Sequence, residues 1–340
     1  MLQSGFFDLP NRFGKLDQLG DPLKALDAVT DWSVFEPILE RGLTKEKKSN
    51  AGRPGFDPVL MFKVLILQSL YNLADGQTEF QIRDRFTFMR FLGLTPESRI
   101  PDEKTIWLFR ESVKARDLHD KLFATFTRFL EAQGFRAQRG TVIDARLVEV
   151  PTQRNTRSEN ATIKEGLRPA AWDRHTAKKA QKDIEARWTQ KNGKHYYGYK
   201  NHIAIDAQHK FIRAHDVTAA NVHDSQRSAT PRPAPQRPHG LRRFRLSPRG
   251  SRTVAQAPGV QEPRASPALG RADLNQTSTT GKSRPLSARA RVEHVFGHQV
   301  KSMRQTVVRG IGLARVRTRI ALANLAYNMS RLAQRRPLCA

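Results

Sequence analysis

Residues 227–292 contain one aromatic side chain, Phe244, two acids, Glu262 and Asp273, and a single lysine, Lys282, while proline, arginine, serine and alanine dominate. So little apolar surface cannot offset the entropy of ordering a backbone, and composition predicts disorder there. Any core must be assembled from the residues on either side. Both flanks read as folded protein, so they have to meet in space across the gap.

The N-terminal flank reads as helices over residues 21–133. Residues 22–39 carry Leu23, Leu26, Val29, Trp32, Val34, Phe35 and Ile38 close to a 3.6-residue period, which predicts a helix. After the breaker Gly52-Arg53-Pro54-Gly55, Asp57-Pro58 supplies an N-cap and a proline at the first helical position of a helix reaching residue 70 or 71. Short helices follow over 78–86 and 88–92, and Pro101-Asp102 caps another running to residue 113. This order admits a helix-turn-helix with Ile106, Trp107, Phe109 and Arg110 on its reading helix; the plainer alternative makes Trp107 and Phe109 core residues of a helical domain.

At Gly140 the pattern changes to strands. Residues 141–143 and 147–150 are β-rich, residues 151–194 are polar and basic and predict a partly disordered insertion, and residues 195–206 and 210–217 predict a hairpin across Ala207-Gln208-His209. Beyond the gap, residues 292–303 predict a helix. Leu313, Val316, Ile320, Ala323 and Tyr327 give the apolar face of a longer one, whose other face carries Arg315, Arg317, Arg319 and Arg331, either solvated or in contact with DNA.

Lys+Arg total 59 against Asp+Glu 32, a net charge of +27 that favours a polyanionic partner through phosphate neutralisation and counterion release. That balance supports nucleic-acid binding and says nothing about an activity. Cys339 is the one cysteine, which excludes a disulfide framework and a cysteine zinc site. The N-terminus has no basic region followed by an apolar run, and the most apolar stretch, residues 59–70, contains Lys63 and Gln68 and is too short to span a bilayer. A cytoplasmic, nucleoid-associated protein with no membrane partner is expected.

Two acids stand out in this basic chain: Asp144, ending the apolar run Thr141-Val142-Ile143, and Glu293, within Arg289-Ala290-Arg291-Val292-Glu293-His294. Carboxylates delivered from distant elements suit a divalent metal acting on a phosphodiester, because such an ion clamps attacking and leaving oxygens. The stretch between them has the look of a GC-rich coding sequence read out of frame, arginine-rich and lysine-poor. Arg243-Phe244-Arg245-Leu246-Ser247 can be encoded CGA TTC CGC TTA TCG, which one nucleotide later reads Asp-Ser-Ala-Tyr.

The chain resembles bacterial insertion-sequence transposases of the DDE class. The segments from Gly52-Arg53-Pro54-Gly55 to Lys63 and Ile100-Pro101-Asp102-Glu103-Lys104-Thr105-Ile106-Trp107 look like that family's helical N-terminal domain. Val142-Ile143-Asp144-Ala145 looks like the strand of the first catalytic aspartate. Tyr197-Gly198-Tyr199-Lys200-Asn201-His202 and Thr218-Ala219-Ala220-Asn221-Val222-His223-Asp224-Ser225 resemble its next strands and turn. Arg289 with Glu293 is similar to the terminal signature, and Gly310-Ile311-Gly312-Leu313-Ala314-Arg315 through Asn324-Leu325-Ala326-Tyr327-Asn328-Met329 to the closing helix.

The resemblance implies an α/β, RNase H-like mixed sheet with helices, preceded by an all-helical domain and interrupted by disordered basic segments. The implied units are a helical DNA-binding domain over 1–133, a first part of the catalytic core over 140–226, a frame-shifted segment over 227–285 and closing helices over 286–335. Asp144 and Glu293 would be catalytic and would hold metal, two Mg²⁺ ions in an intact member. Lys200, His202, Arg289 and Lys301 would contact phosphate, with plain surface charge as the alternative. The partner implied is double-stranded DNA, element ends and target, with a homodimer on DNA among the arrangements left open.

This sequence departs from the family where it matters. The second aspartate belongs in a Tyr-Ala-Asp-Ser-Ala-Tyr-type segment, and Arg243 occupies its codon window. Leu286 stands where the signature often has tyrosine, and Lys301 falls one position late. The implied reading is a copy inactive for want of that acid, with Asp206, Asp216 and Asp224 as substitutes for which turn and cap roles are the plainer reading. The competing readings are a catalytically dead DNA-binding regulator of transposition and a general basic nucleic-acid-binding protein. His223 and His294 have no partner at metal-site spacing.

Overall fold

The structure, a computed structural model, describes residues 8–43, 54–137, 140–223 and 283–336. Eight helices come first: α1 (Asp8–Gln18), α2 (Pro22–Val29), α3 (Glu36–Leu43), α4 (Pro58–Tyr71), α5 (Asp75–Asp84), α6 (Phe86–Leu92), α7 (Glu103–Ala115) and α8 (Leu118–Ala132). Asp57 accepts from the Leu60 N–H at 2.7 Å and Pro58 opens α4, as the cap signal predicts. Met61, Phe62, Val64, Leu65, Ile66 and Leu67 are all buried, so α4 is apolar all round and sits at the centre of the block. It ends on Asn72 in the left-handed conformation.

Residues 22–39 do not form one helix. Thr30 is extended, and Asp31 accepts from Ser33 N–H to start a 3-10 turn over Trp32–Phe35 before α3 begins. Leu23, Leu26, Phe35 and Leu39 are nonetheless buried together, so periodicity reported burial while a cap residue set continuity. Neither reading of residues 106–110 holds for all of them: Phe109 packs partly buried against the core, whereas Trp107, which the plainer alternative places there, is 41% exposed. Arg110 is 7% exposed and forks onto Asp75 of α5 while bonding Gln68 of α4, and Ile106 is buried; α7 therefore turns Arg110 inward and leaves Trp107 and Leu108 exposed.

Among the described residues the sheet has four strands: β1 (Thr141–Glu149), β2 (Arg187–Lys191), β3 (Lys194–Asp206) and β4 (Ile212–Ala219). All named pairings are antiparallel. Gly198 of β3 pairs with both Glu149 and Arg187, and Ile203 pairs with both Asp144 and His215. Hence β1 flanks one side of β3, and β2 and β4 follow each other along the other. Gly198 has φ 150°, and an added Cβ would lie 2.3 Å from the Val148 carbonyl oxygen, so only glycine fits where β1 and β3 meet.

The expectation of partial disorder over residues 151–194 is corrected, since the stretch carries α9 (Arg157–Lys164), a 3-10 turn over Ala170–Arg174, α10 (Thr176–Gln181) and β2. A few contacts order it despite its polarity. Thr156 and Glu159 form a capping box, and Glu159 also accepts from Trp172 Nε1 at 2.6 Å, with Trp172 1% exposed. Asp183, 2% exposed, accepts from the Tyr199 hydroxyl and from the backbone N–H of Glu185, Ala186 and Gly312. That carboxylate and burial push the Tyr199 phenol far above its usual range, and burial beside Asp183 pushes Tyr197 up to about 12.

After the gap come α11 (Ser283–Lys301) and α12 (Leu313–Arg335). Residues 320–329 of α12 are all buried, because the helix lies between β4 on one side and α2, α4, α7 and α8 on the other. Its buried asparagines match polar backbone: Asn328 exchanges hydrogen bonds with Ile212 N–H and C=O at 2.8 Å, and Asn324 bonds Asn201 of β3 and Gln299 of α11. One hydrophobic core thus runs from Leu23 through α4 and α12 to Ile203 and Ile212. Among the described residues no helix is long and apolar enough to cross a membrane.

Candidate catalytic site

Alternation along β1 puts Val142, Asp144, Arg146 and Val148 on one face. Their partners on β3 are Ile205, Ile203, Asn201 and Tyr199. Val142 packs on the cluster holding Val292, Val295 and Phe296 of α11, and Arg146 donates to the Gln305 carbonyl oxygen at 2.6 Å, just beyond that helix. Burial lowers the Arg146 pKa, with Glu149 opposing. Asp144, between Val142 and Arg146, therefore stands on the face covered by α11 and α12; it is half-buried, and its Oδ1 accepts from the Ala145 N–H at 2.9 Å.

Glu293 is exposed on α11, the helix that packs on β1 and presses Val292, Val295 and Phe296 into the core. The strand of the first acid and the helix of the second are in contact. Lys200 and His202 are on the opposite face of β3: Lys200 Nζ donates to the Val222 carbonyl at 2.8 Å, and His202, 4% exposed, shares a 2.9 Å hydrogen bond with Thr218. Lys301 is exposed at the end of α11. The side chain of Arg289 lies outside the described residues, as do Asp224, Arg243 and the expected frame-shifted segment up to residue 282.

Neither described substitute for the missing acid is at liberty. Asp206 and Arg213 form a buried pair at 3.0 Å, and the same carboxylate accepts from the His209 and Phe211 N–H groups to close the hairpin. Asp216 accepts from Val217 N–H and lies 3.8 Å from Arg317. Among the described residues there is no group of three or more His, Cys, Asp or Glu that could hold a metal ion. The described residues alone do not fit the two-ion centre the resemblance implies.

Three of the α12 arginines that the sequence leaves to solvent or DNA are also bonded within the protein. Arg315 bonds Glu111 at 2.9 Å, Arg317 reaches the Val217 carbonyl, and Arg331 donates to the His209 carbonyl at 3.1 Å, so all three hold α12 to its neighbours. Arg319 has no such bond among the described residues. Sequence reasoning missed Asp183, Asp75 and Glu111, each of which has a partner far along the chain, Gly312, Arg110 and Arg315, that no local spacing signals.

Residues 11–112 match the family model described as Transposase domain (DUF772), and residues 136–230 match Transposase DDE domain. The chain belongs to the insertion-sequence DDE transposases. The first match runs from α1 into α7 and the second begins just before the strand of Asp144, so the transposase has the expected order of helices, then an RNase H-like α/β region. The DDE match stops at residue 230, inside the stretch of anomalous composition. No solved structure matches the transposase.

Proposed function

We propose that this chain is a DDE transposase that has lost its second aspartate through a frame shift, and that it binds the terminal repeats of its element in the cytoplasm without cutting them. Asp144 and Glu293 are the surviving acids of a pocket that in an intact member takes Mg²⁺. The observation that carries the reading is the packing of α11 against β1, with Asp144 on the face turned to that helix. Two further facts support it. Among the described residues, the outer edge of β1 is met only by Val308, whose N–H donates to the Glu149 carbonyl, so most of that edge is open to a further strand. The window for the missing acid holds Arg243.

A divalent ion supplies Lewis acidity and a bound nucleophile when it is held by enough carboxylates, and two acids are too few to hold a pair. The chain's own contribution is to fix one carboxylate on a strand and one on a helix and to bring phosphate to them with its positive charge. The test is a gel-shift and nicking assay on double-stranded DNA carrying the element's ends, in Mg²⁺. Repeat-specific binding without nicks is expected. Nicks that vanish in Asp144→Asn would overturn the loss of activity, and binding indifferent to sequence would overturn end recognition. The codons for residues 226–289 examine the frame shift directly: a frame that fails to yield an Asp-bearing strand continuous with both flanks refutes it.

A further inference from the structure

A cleft of about 310 Å³ opens between α7 and the start of α12, floored by the loop Arg309-Gly310-Ile311. Its wall holds five cations against two carboxylates. Three of the cations are spoken for: Arg110 forks onto Asp75, and Lys114 and Arg315 share Glu111. Arg309 and Arg319 have no hydrogen bond or ion pair among the described residues, although both line the cavity. A guanidinium carries five N–H donors and no acceptor; Arg309 is exposed at the cleft and Arg319 half-buried in its wall, where Asp75 and Glu111 act on it only at a distance and no acceptor among the described residues bonds it.

We propose that this cleft is a phosphate-binding site, with Arg309 and Arg319 as the groups that take the anion. The environment of Arg319 agrees: burial, then the neighbouring Arg110 and Arg309, bring its pKa down to about 10 against the opposing pull of Asp75 and Glu111, and an arriving anion would add to that pull. Trp107, 41% exposed, stands on the rim with Leu108, 49% exposed, next to it. An exposed indole beside free guanidinia suits a base stacked above its own phosphate, which favours a nucleic-acid strand over a free anion. The loop that floors the cleft is continuous with Gln305 and Val308, which touch β1 of Asp144, so a strand held here would lie toward the acids. This source of the phosphate rests on the proposed DNA binding; the site itself does not.

The experiment uses the full chain, the double variant Arg309→Gln/Arg319→Gln and the variant Trp107→Ala. Binding of a fluorescent DNA duplex and of a single strand is followed against salt, and pyrophosphate is offered separately by calorimetry. The double variant should lose about tenfold or more in DNA affinity and lower the salt slope by about 2, while its thermal midpoint stays or rises because no internal bond is lost. Trp107→Ala should weaken DNA and leave pyrophosphate unchanged. If the parent ignores DNA yet binds pyrophosphate through the two arginines, the site stands and the DNA-binding reading falls. Unaltered affinity and salt slope for both ligands in the double variant, or a lowered midpoint marking a structural role, would overturn the site.

Discussion

The two sides of β3 are finished differently. On one, β4 and β2 run end to end, α12 packs on β4, and side-chain amides tie the layer down: Asn328 bonds the Ile212 N–H and C=O, and Asn324 joins the side chains of Asn201 and Gln299. On the other, β1 carries Asp144 and, among the described residues, meets past its outer edge only the Val308 N–H. The first side is tied by side-chain bonds that reach across the core, whereas, among the described residues, most of the edge beside the proposed site residue has no such tie. On the proposed function, fold and activity can therefore be lost separately.

The largest expected effect tests the seam between the two sides. Gly198→Ala would drive a Cβ to 2.3 Å from the Val148 carbonyl oxygen, a backbone atom that cannot swing away. A loss of about 4 kcal/mol in urea unfolding is expected, because β1 and β3 must part to admit the methyl group. A loss under about 1 kcal/mol would mean that β1 is not held to β3 as tightly as the register implies.

Asp206→Asn probes the finished side. Its carboxylate and Arg213 are each 1% exposed, so removing the negative charge leaves a guanidinium buried without its counter-ion, at a cost of about 3 kcal/mol. Acid should weaken the same side. His215 of β4 is enclosed against the Phe123 ring, and burial lowers its pKa to about 4. The unfolded chain takes up a proton near pH 6.5 that the folded one refuses until about pH 4. Its contribution is therefore full above 6.5 and falls away between 6.5 and 4, by about 2–3 kcal/mol. Unfolding free energies measured across that window should slope less in His215→Gln; the neighbouring His119, also lowered by burial, accounts for the remainder.

What was legible in the sequence follows the same division. Local signals gave the caps of α4 and α7, the strand at Asp144 and the hairpin closed by Asp206, since each depends on a few adjacent residues. The break at Thr30 escaped periodicity because the apolar spacing continues through it while Asp31 redirects the backbone. The order in residues 151–194 escaped composition because Trp172 and the contacts of Asp183, one of them with Gly312, anchor a polar stretch. In the same way Arg110, which the helix order admits to a reading helix, is turned inward by Asp75 and Gln68, both distant in sequence. Of the candidate site, the strand of Asp144 and the helix of Glu293 were readable; the packing of that helix on that strand and the cleft beside α12 depend on long-range contacts that no spacing encodes.

The smallest effect is the sharpest contrast with Asp206. Asp144 is half-buried, and its one hydrogen bond among the described residues comes from the adjacent Ala145 N–H, which an amide oxygen accepts equally well. Asp144→Asn should therefore shift unfolding free energy by no more than about 0.5 kcal/mol. An acid placed on a covered sheet face that stability does not require is what a site residue looks like, whereas Asp206 is what a structural acid looks like. A loss near that of Asp206→Asn would put Asp144 in the second class and remove the strand half of the proposed pocket. A shift close to zero, accompanied by a change in how the chain binds Mg²⁺ or DNA, would place it in the first.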